Sequence, residues 1–595
     1  MKTRHRPNLG YDEVPGASYD EARRARENSR ARRFDGGGSG RGDRGLHTIL
    51  AVAAVIAVIV VGRLLWLQVF TASDLSSKAE TQRTNTITLH AKRGTIYDRN
   101  GNVLAMSVDC KTIYANPDEV NDPSTAASII ASALGGDESD YLEKLQDDTT
   151  FVYIRRQVDE DTAEQLEQSL SDAGIEGIYF LEDTKRVYPY GSVAGQILGA
   201  VGVDGDGLSG LELYYNSILE GTDGEMLMET GEDGTPIAGA ASDVTEAQDG
   251  TDIVISIDIN IQQVAEEQIS AGVTQYGADS GSVMVTDPQS GEILAACSTP
   301  LLDLTDTSSA TTAAYTLKLT SSVYEPGSIF KVLTAAIGID DGLMNTETTW
   351  SVPAKIKAGD DYVTDDDDRD YTMDMSLREI LRRSSNVGMS LVAQDEIGSE
   401  RFSEGVSAFQ IGTATGIDYP GESSGIVKSL DEYDGSTLGN MAFGQGLAVP
   451  MVQMVKAVGS IANGGTLYTP HFLISEGGQS ADWPSTGTSV SAETAAEVTD
   501  MMRTVVDSGT ATNADVEGYD VAAKTGTGQQ INDDGTGYKD DSYMSSMIGF
   551  ANASDPDVLV YVGLNGTSYH GSAAGSMFSA IMSEALSDLG VKPSE

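Results

Sequence analysis

A run of fourteen residues without a polar side chain, ILAVAAVIAVIVVG at 49–62, dominates the N-terminal part of the chain. With Thr48 and His47 before it and LLWLQVF after Arg63, the apolar segment covers residues 48–70. As a helix it would be about 34 Å long, enough to cross roughly 30 Å of hydrocarbon. Arg63 lies close enough to the far end to reach the interface, and Trp66 suits the same boundary. The run and the region before it are too long for a cleaved signal peptide. Charge orients the span. Residues 1–47 carry eleven Lys/Arg against seven Asp/Glu, a net of +4, whereas the whole chain stands at −52. The positive flank is expected in the cytoplasm and the large acidic remainder outside. The tail itself (ARRARENSRARRFDGGGSGRGDRG) has the composition of a disordered segment.

The same imbalance bears on partners. Ninety acidic against 38 basic residues leave no basic face for nucleic acid. The two cysteines, Cys110 and Cys297, cannot build a disulfide scaffold and read as buried thiols. The five histidines show no metal-ligand spacing, and no cofactor is expected.

Beyond the membrane the chain of 595 residues divides at about residue 250. Residues 71–250 mix strand-like runs with acidic helical stretches. Asn100-Gly101 between apolar runs signals a hairpin, and 159–173 has helical spacing with a Gly stop. Residues 203–212 read as a glycine-rich loop leading into a helix. No nucleophile stands near a base here, so this part reads as scaffold. From residue 251 the pattern is strand, helix, strand, strand: TDIVISI, then an amphipathic stretch, then SVMVTDP and EILAACS. SSMIGFANA and DVLVYVGLN read as two more strands, and a helix at about 575–589 closes the chain. The acidic stretch 359–370 (GDDYVTDDDDRD) lacks the spacing of an EF-hand and reads as a solvated loop.

Three short motifs carry chemistry. Pro326-Gly327 is a turn before an apolar helical run, which places Ser328 near a helix N-terminus and Lys331 one turn on, on the same face. Ser384-Ser385-Asn386 follows the helical run SLREILRR. Lys524-Thr525-Gly526-Thr527 reads as an edge strand whose glycine removes a side chain where something must lie close. Each alone is bland; a Ser-x-x-Lys occurs by chance in a chain this long. Ser-x-x-Lys, Ser-x-Asn and Lys-Thr-Gly in this order, in one extracytoplasmic domain, form the set used by penicillin-binding proteins and class A β-lactamases.

With these residues, and with RGTIYDRNG, GLSGLELYYNSILEG, TDPQSGEILA, Gly444-Gln445-Gly446 and SMIGF, the chain resembles the class B penicillin-binding proteins, bitopic D,D-transpeptidases that cross-link peptidoglycan. LAMSVDCKTIYANP and GIDYPGE resemble the septal, cell-division branch. One departure is Val449-Pro450-Met451 after the Gly-Gln-Gly, where the family usually has Val-Thr-Pro. The resemblance implies an α+β fold: an antiparallel sheet packed between helices as the transpeptidase domain (251–595), an N-terminal mixed α/β pedestal (71–250), one transmembrane helix (48–70) and a disordered cytoplasmic tail (1–47). It implies lipid-linked stem peptides as substrate, β-lactams as inhibitors, and a SEDS-family glycan polymerase and other division proteins as partners.

The expected roles follow from residue chemistry and the resemblance together. Serine needs a base, and Lys331 serves only when neutral. Bringing a lysine from about 10.4 to about 7–8 takes some 3–4 kcal/mol of differential stabilisation, from partial burial and from a second cation, for which Lys524 is the candidate. Ser328 and Lys331 are then nucleophile and base, Ser384 a proton relay, and Asn386 a partner of the substrate amide and of Lys331. Lys524, Thr525, Gly526 and Thr527 form the carboxylate-binding strand. The same triplet also serves an elongation-type transpeptidase or a β-lactamase- or carboxypeptidase-like hydrolase, and a mainly non-enzymatic division scaffold is a further alternative.

Overall fold

The computed structural model describes residues 42–67, 84–230, 236–359, 361–367, 369–532 and 537–593. The expected tail falls almost wholly outside them, as do residues 68–70.

The apolar segment forms one helix, Gly42–Leu65, with Arg63 in its last turn. It begins six residues before the expected span and ends five short of it. The window His47–Leu64 has a mean hydropathy of 2.2 and none of it is buried against protein. A helix this apolar, with no protein to cover it, has the length and composition to cross a membrane.

The described residues of Thr86–Glu229 and Pro236–Glu595 form one compact unit. Its first hairpin stands where the Asn-Gly signal put it. Ile96–Tyr97 pairs antiparallel with Val103–Ala115, Gly101 turns at φ +84°, and the Asp98 carboxylate accepts from the backbone N–H of Asn100 and Asn102, both at 2.8 Å. The long strand Val103–Ala115 also pairs antiparallel with Val152–Asp159 and Ile178–Val187. Helices Pro123–Leu134 and Glu160–Asp172 close a small core of their own with this sheet; Glu160–Asp172 buries Ala163, Leu166 and Leu170 at helical spacing.

The strand Ile253–Ile255 carries this sheet across residue 250. It lies parallel to Ile96–Tyr97 on one side and antiparallel to Leu473–Glu476 on the other. One seven-stranded sheet therefore takes strands from both parts of the chain.

The second sheet has five strands, all antiparallel, in the order Ile293–Ser298, Ser280–Thr286, Val558–Thr567, Tyr538–Ala551, Val521–Ile531. Every residue of Ser280–Thr286 and of Ile293–Ser298 is buried. Successive side chains of a strand point to opposite faces, so both faces are covered. Helices Ile259–Tyr276 and Gly575–Asp588 pack together against the sheet, and Met451–Ala462 and Ala492–Ser508 also contact it. Both cysteines are free and buried, Cys297 inside this sheet. Val521–Ile531, which carries Lys524 to Thr527, is an edge strand, as its sequence suggested.

The acidic stretch 359–370 differs from its expected form as a solvated loop. Asp361–Thr364 is a strand paired with Lys355–Ala358, and the Asp365 and Arg369 side chains that follow are buried as an ion pair. A buried cation gives a carboxylate a reason to leave water that a run of like charges does not show.

Candidate active site

The three motifs meet at the edge strand. Gly327–Phe330 forms a 3-10 turn that runs directly into the helix Lys331–Asp340. Ser328 is half-buried in that turn, while the Lys331 side chain is carried into the core by a helix buried through Ile339. The turn is pinned from two sides. The Gly327 N–H donates to Gly444 O at 3.0 Å, and a Cβ on Gly327, at φ +55°, would stand 2.3 Å from Thr527 O. Glycine at 327 thus lets the nucleophile turn and the edge strand touch backbone to backbone. Glu325, also buried, accepts from Gly446 N–H at 2.8 Å and from the Tyr538 hydroxyl at 3.1 Å.

Helix Leu377–Arg383 ends at Ser384, which adopts a left-handed conformation (φ +61°), uncommon for a residue with a side chain. The next residue, Ser385, caps helix Asn386–Val392 through its hydroxyl, which accepts from Gly388 N–H at 2.9 Å. This sharp turn points both oxygens of Ser384 inward. Lys331 Nζ donates to Ser384 O (2.5 Å), to Asn386 Oδ1 (2.7 Å) and to Ser384 Oγ (3.3 Å). From the strand, Lys524 Nζ donates to the same Ser384 Oγ at 2.9 Å and to Thr525 O at 3.0 Å. One serine hydroxyl therefore lies between two buried amines. Among the described residues, the Ser328 hydroxyl takes part in no hydrogen bond.

Electrostatics follow from burial. Lys331 is pushed down to about 7 by desolvation, with Asp365 and Asp366 opposing. Lys524 is pushed well below the ordinary lysine range, first by burial and then by the Lys331 cation. Two desolvated amines sharing one hydroxyl disfavour two charges, so the pair behaves as a coupled proton site. Two buried amines can activate a hydroxyl.

The remaining strand residues divide. The Thr525 hydroxyl is 2.9 Å from that of Thr510, and Thr527 Oγ1 accepts from Gly571 N–H at 3.0 Å. At Gly526 a Cβ would fall 2.4 Å from Ser546 Oγ and 2.9 Å from Ile329 Cγ1. What lies close at this glycine is Ser546 of the neighbouring strand and the residue after Ser328. Three residues at the site had no role in the sequence reading: Asp365, Arg369 and Thr510. The single arginine in the run DDDDRD is the one signal for Asp365 and Arg369, and nothing in the sequence marks Thr510. At the departure from the family pattern, Val449–Pro450 pairs with Val323–Tyr324 and Pro450 leads into helix Met451–Ala462 without a side-chain cap.

Comparison with known proteins agrees across most of the chain. Residues 281–583 match the penicillin binding protein transpeptidase domain and residues 88–255 the penicillin-binding protein dimerisation domain. The chain is 33% identical over 552 residues to penicillin-binding protein PbpB of Mycolicibacterium smegmatis, covering 86% of this chain and 84% of that one. It is 30% identical over 567 residues to stage V sporulation protein D of Bacillus subtilis, covering 92% and 86%. The crystal structure of penicillin binding protein 2X from Streptococcus thermophilus superposes with a TM-score of 0.72 at 28% identity, over 84% of this chain and 80% of that one.

Proposed function

The chain belongs to the class B penicillin-binding proteins and is a serine-type peptidoglycan D,D-transpeptidase, and on that premise we propose that Ser328 is its nucleophile and Lys331 its general base. The observation that carries this reading is the convergence of Lys331 and Lys524 on Ser384 Oγ beside the Ser328 turn. Ser328 Oγ attacks the carbonyl of the penultimate D-Ala of a stem peptide, and neutral Lys331 takes its proton. The N–H groups of Ser328 and Thr527 receive the oxyanion; donors of this kind are worth about 3–4 kcal/mol each. Ser384, bonded to both lysines, passes a proton to the leaving D-Ala nitrogen. Asn386 holds Lys331 in line and meets the substrate amide, and Lys524, Thr525 and Thr527 receive the terminal carboxylate. Gly526 keeps the strand close to Ile329. An amine from a neighbouring stem then attacks the acyl-enzyme, releases Ser328 and completes the cross-link.

The wider setting is part of the same proposal. Gly42–Leu65 spans the membrane with the N-terminus in the cytoplasm, supported by the positive charge of residues 1–47. The catalytic segment 251–595 then stands outside on the pedestal 71–250. LAMSVDCKTIYANP and GIDYPGE support work at the septum, beside a SEDS-family polymerase and other division proteins.

The test is intact mass of the full-length protein in detergent after penicillin, followed for hours, with Ser328→Ala alongside. A stable adduct of one penicillin, absent from the variant, supports the transpeptidase site as assigned. An adduct lost within seconds marks a hydrolase, and no adduct in the wild type refutes Ser328 as nucleophile.

A further inference from the structure

The Ser384-Ser385-Asn386 turn opens on a left-handed residue and aims three oxygens at Lys331; its backbone is tied to the preceding helix by Ser384 N–H to Leu381 O (3.1 Å) and Ser385 N–H to Ile380 O (2.9 Å), which leaves the side chains of Ser385 and Asn386 to be held from elsewhere. The support comes from the acidic turn after Asp361–Thr364. Asp365 Oδ2 accepts from the Ser385 hydroxyl at 2.8 Å, and Asp365 Oδ1 accepts from Val387 N–H at 3.0 Å. Next to it, Thr364 O accepts from Asn386 Nδ2 at 3.1 Å. Asp365 is itself fixed. Its carboxylate meets Arg369 Nη2 at 2.9 Å, and both side chains are buried. Arg369 is anchored on Val352 O (2.7 Å), Tyr371 O (3.1 Å) and Pro353 O (3.3 Å).

We infer that Asp365 is a positioning residue of this enzyme: clamped by Arg369, it fixes the Ser384–Asn386 turn so that Ser384 and Asn386 face Lys331. The inference rests on the site proposed above and deepens it. With Thr364 O holding the amide nitrogen of Asn386, only Oδ1 is left to face Lys331 Nζ, so the amide cannot turn over without losing both bonds. With Ser385 Oγ donating to Asp365 and accepting from Gly388, the hydroxyl is fully engaged and the residue before it is held left-handed. Asp365 touches no reacting atom and acts through the turn. It also faces Lys331 electrostatically, together with Asp366, while Lys524 on the strand faces Lys331 and Asp366.

The test uses full-length protein and a fluorescent penicillin, with the second-order acylation rate measured from pH 5.5 to 9. For Asp365→Asn the rate is expected to fall about a hundredfold, the size of effect that small misplacements near a reacting centre produce. The acid limb of its pH profile is expected to move to lower pH, because a negative charge that favoured protonated Lys331 is gone. Neutralising Asp365 leaves Arg369 buried without its partner and can unfold the turn, so Ser385→Ala is measured as well; it cuts the hydroxyl link, keeps Val387 N–H on Asp365 and leaves the ion pair whole. The double variant is expected to lose less than the two single losses combined, since the Ser385–Asp365 contact is common to both. Equal rates for wild type and Ser385→Ala, or fully additive losses in the double variant, would overturn the inference. So would an unshifted acid limb in folded Asp365→Asn. A wild type that forms no adduct would instead refute the site on which the inference rests.

Discussion

At the scale of single residues, burial sets the chemistry. Lys331 lies at the start of a helix whose residues through Ile339 are all buried, and desolvation brings it down to about 7. A base must be unprotonated to act. Acylation by a β-lactam is therefore expected to rise about tenfold per pH unit up to about 7 and then level off, read by stopped-flow fluorescence. Lys331→Arg, which stays protonated at every accessible pH, should lower the rate by about a hundredfold or more and show no such limb. The same shift is linked to stability. An unfolded lysine holds its proton to about 10.4, whereas the folded one releases it near 7, so the stability present above the unfolded value is lost as pH falls toward 7. Lys331→Met should accordingly gain on the wild type in Tm most at pH 7 and below, and least at pH 10. These residues were legible beforehand because Ser-x-x-Lys, Ser-x-Asn and Lys-Thr-Gly are local patterns. Asp365 was not, because one carboxylate in DDDDRD differs from its neighbours only in having Arg369 folded back onto it.

At the scale of elements, the site depends on close approach between a helix start and an edge strand. Gly526 has no space for a side chain: its Cβ would meet Ser546 Oγ and Ile329 Cγ1 at 2.4 and 2.9 Å. Gly526→Ala is expected to cost about 1–3 kcal/mol through overpacking and, by pushing the strand off the Ser328 turn, to slow acylation more than it lowers Tm would account for. Differential scanning calorimetry beside the acylation rate separates the two. Gly342 makes a suitable comparison, since its φ is +67° but its Cβ would meet nothing; Gly342→Ala should move Tm and leave acylation unchanged. The sequence placed strands at VAAKTGT, SSMIGFANA and DVLVYVGLN, and each overlaps an observed strand, 521–531, 538–551 and 558–567, the first two of which extend well beyond the expected segment. They did not reveal that Asp361–Thr364 is a strand, because acidic residues there hide the pairing with Lys355–Ala358.

At the scale of the molecule, the pedestal and catalytic segments share a sheet and a set of buried polar contacts. Gln196 donates to Ala314 O at 2.9 Å and accepts from Ser298 N–H at 2.9 Å, the Tyr215 hydroxyl donates to Asp418 at 2.6 Å, and Glu266 accepts from Ala194 N–H at 2.9 Å. Tyr215→Phe is expected to cost about 1–3 kcal/mol, since it leaves a buried carboxylate short of a donor, and to lower a single unfolding transition for both segments. Burial raises the Glu266 carboxyl to about 7, against an ordinary 4.5. The folded state thus favours the proton, and the stability this lends is whole below pH 4.5 and lost as pH rises through 7. Glu266→Gln should match the wild type at pH 4.5 and exceed it by about 3 kcal/mol above pH 7, measured by urea denaturation.

The sequence alone located the candidate membrane-spanning helix, the first and last strands and helices of the catalytic segment, and the eight residues of the three motifs, because each rests on apolar runs, local periodicity or short spacing along the chain. The tertiary structure decided the rest. It placed Ser384 Oγ between two lysines that lie 193 residues apart in sequence, turned Asp365 and Arg369 inward from an acidic run, and carried Ile253–Ile255 into the pedestal sheet. Each of these depends on what lies opposite a side chain in space, and desolvation and pairing are set there.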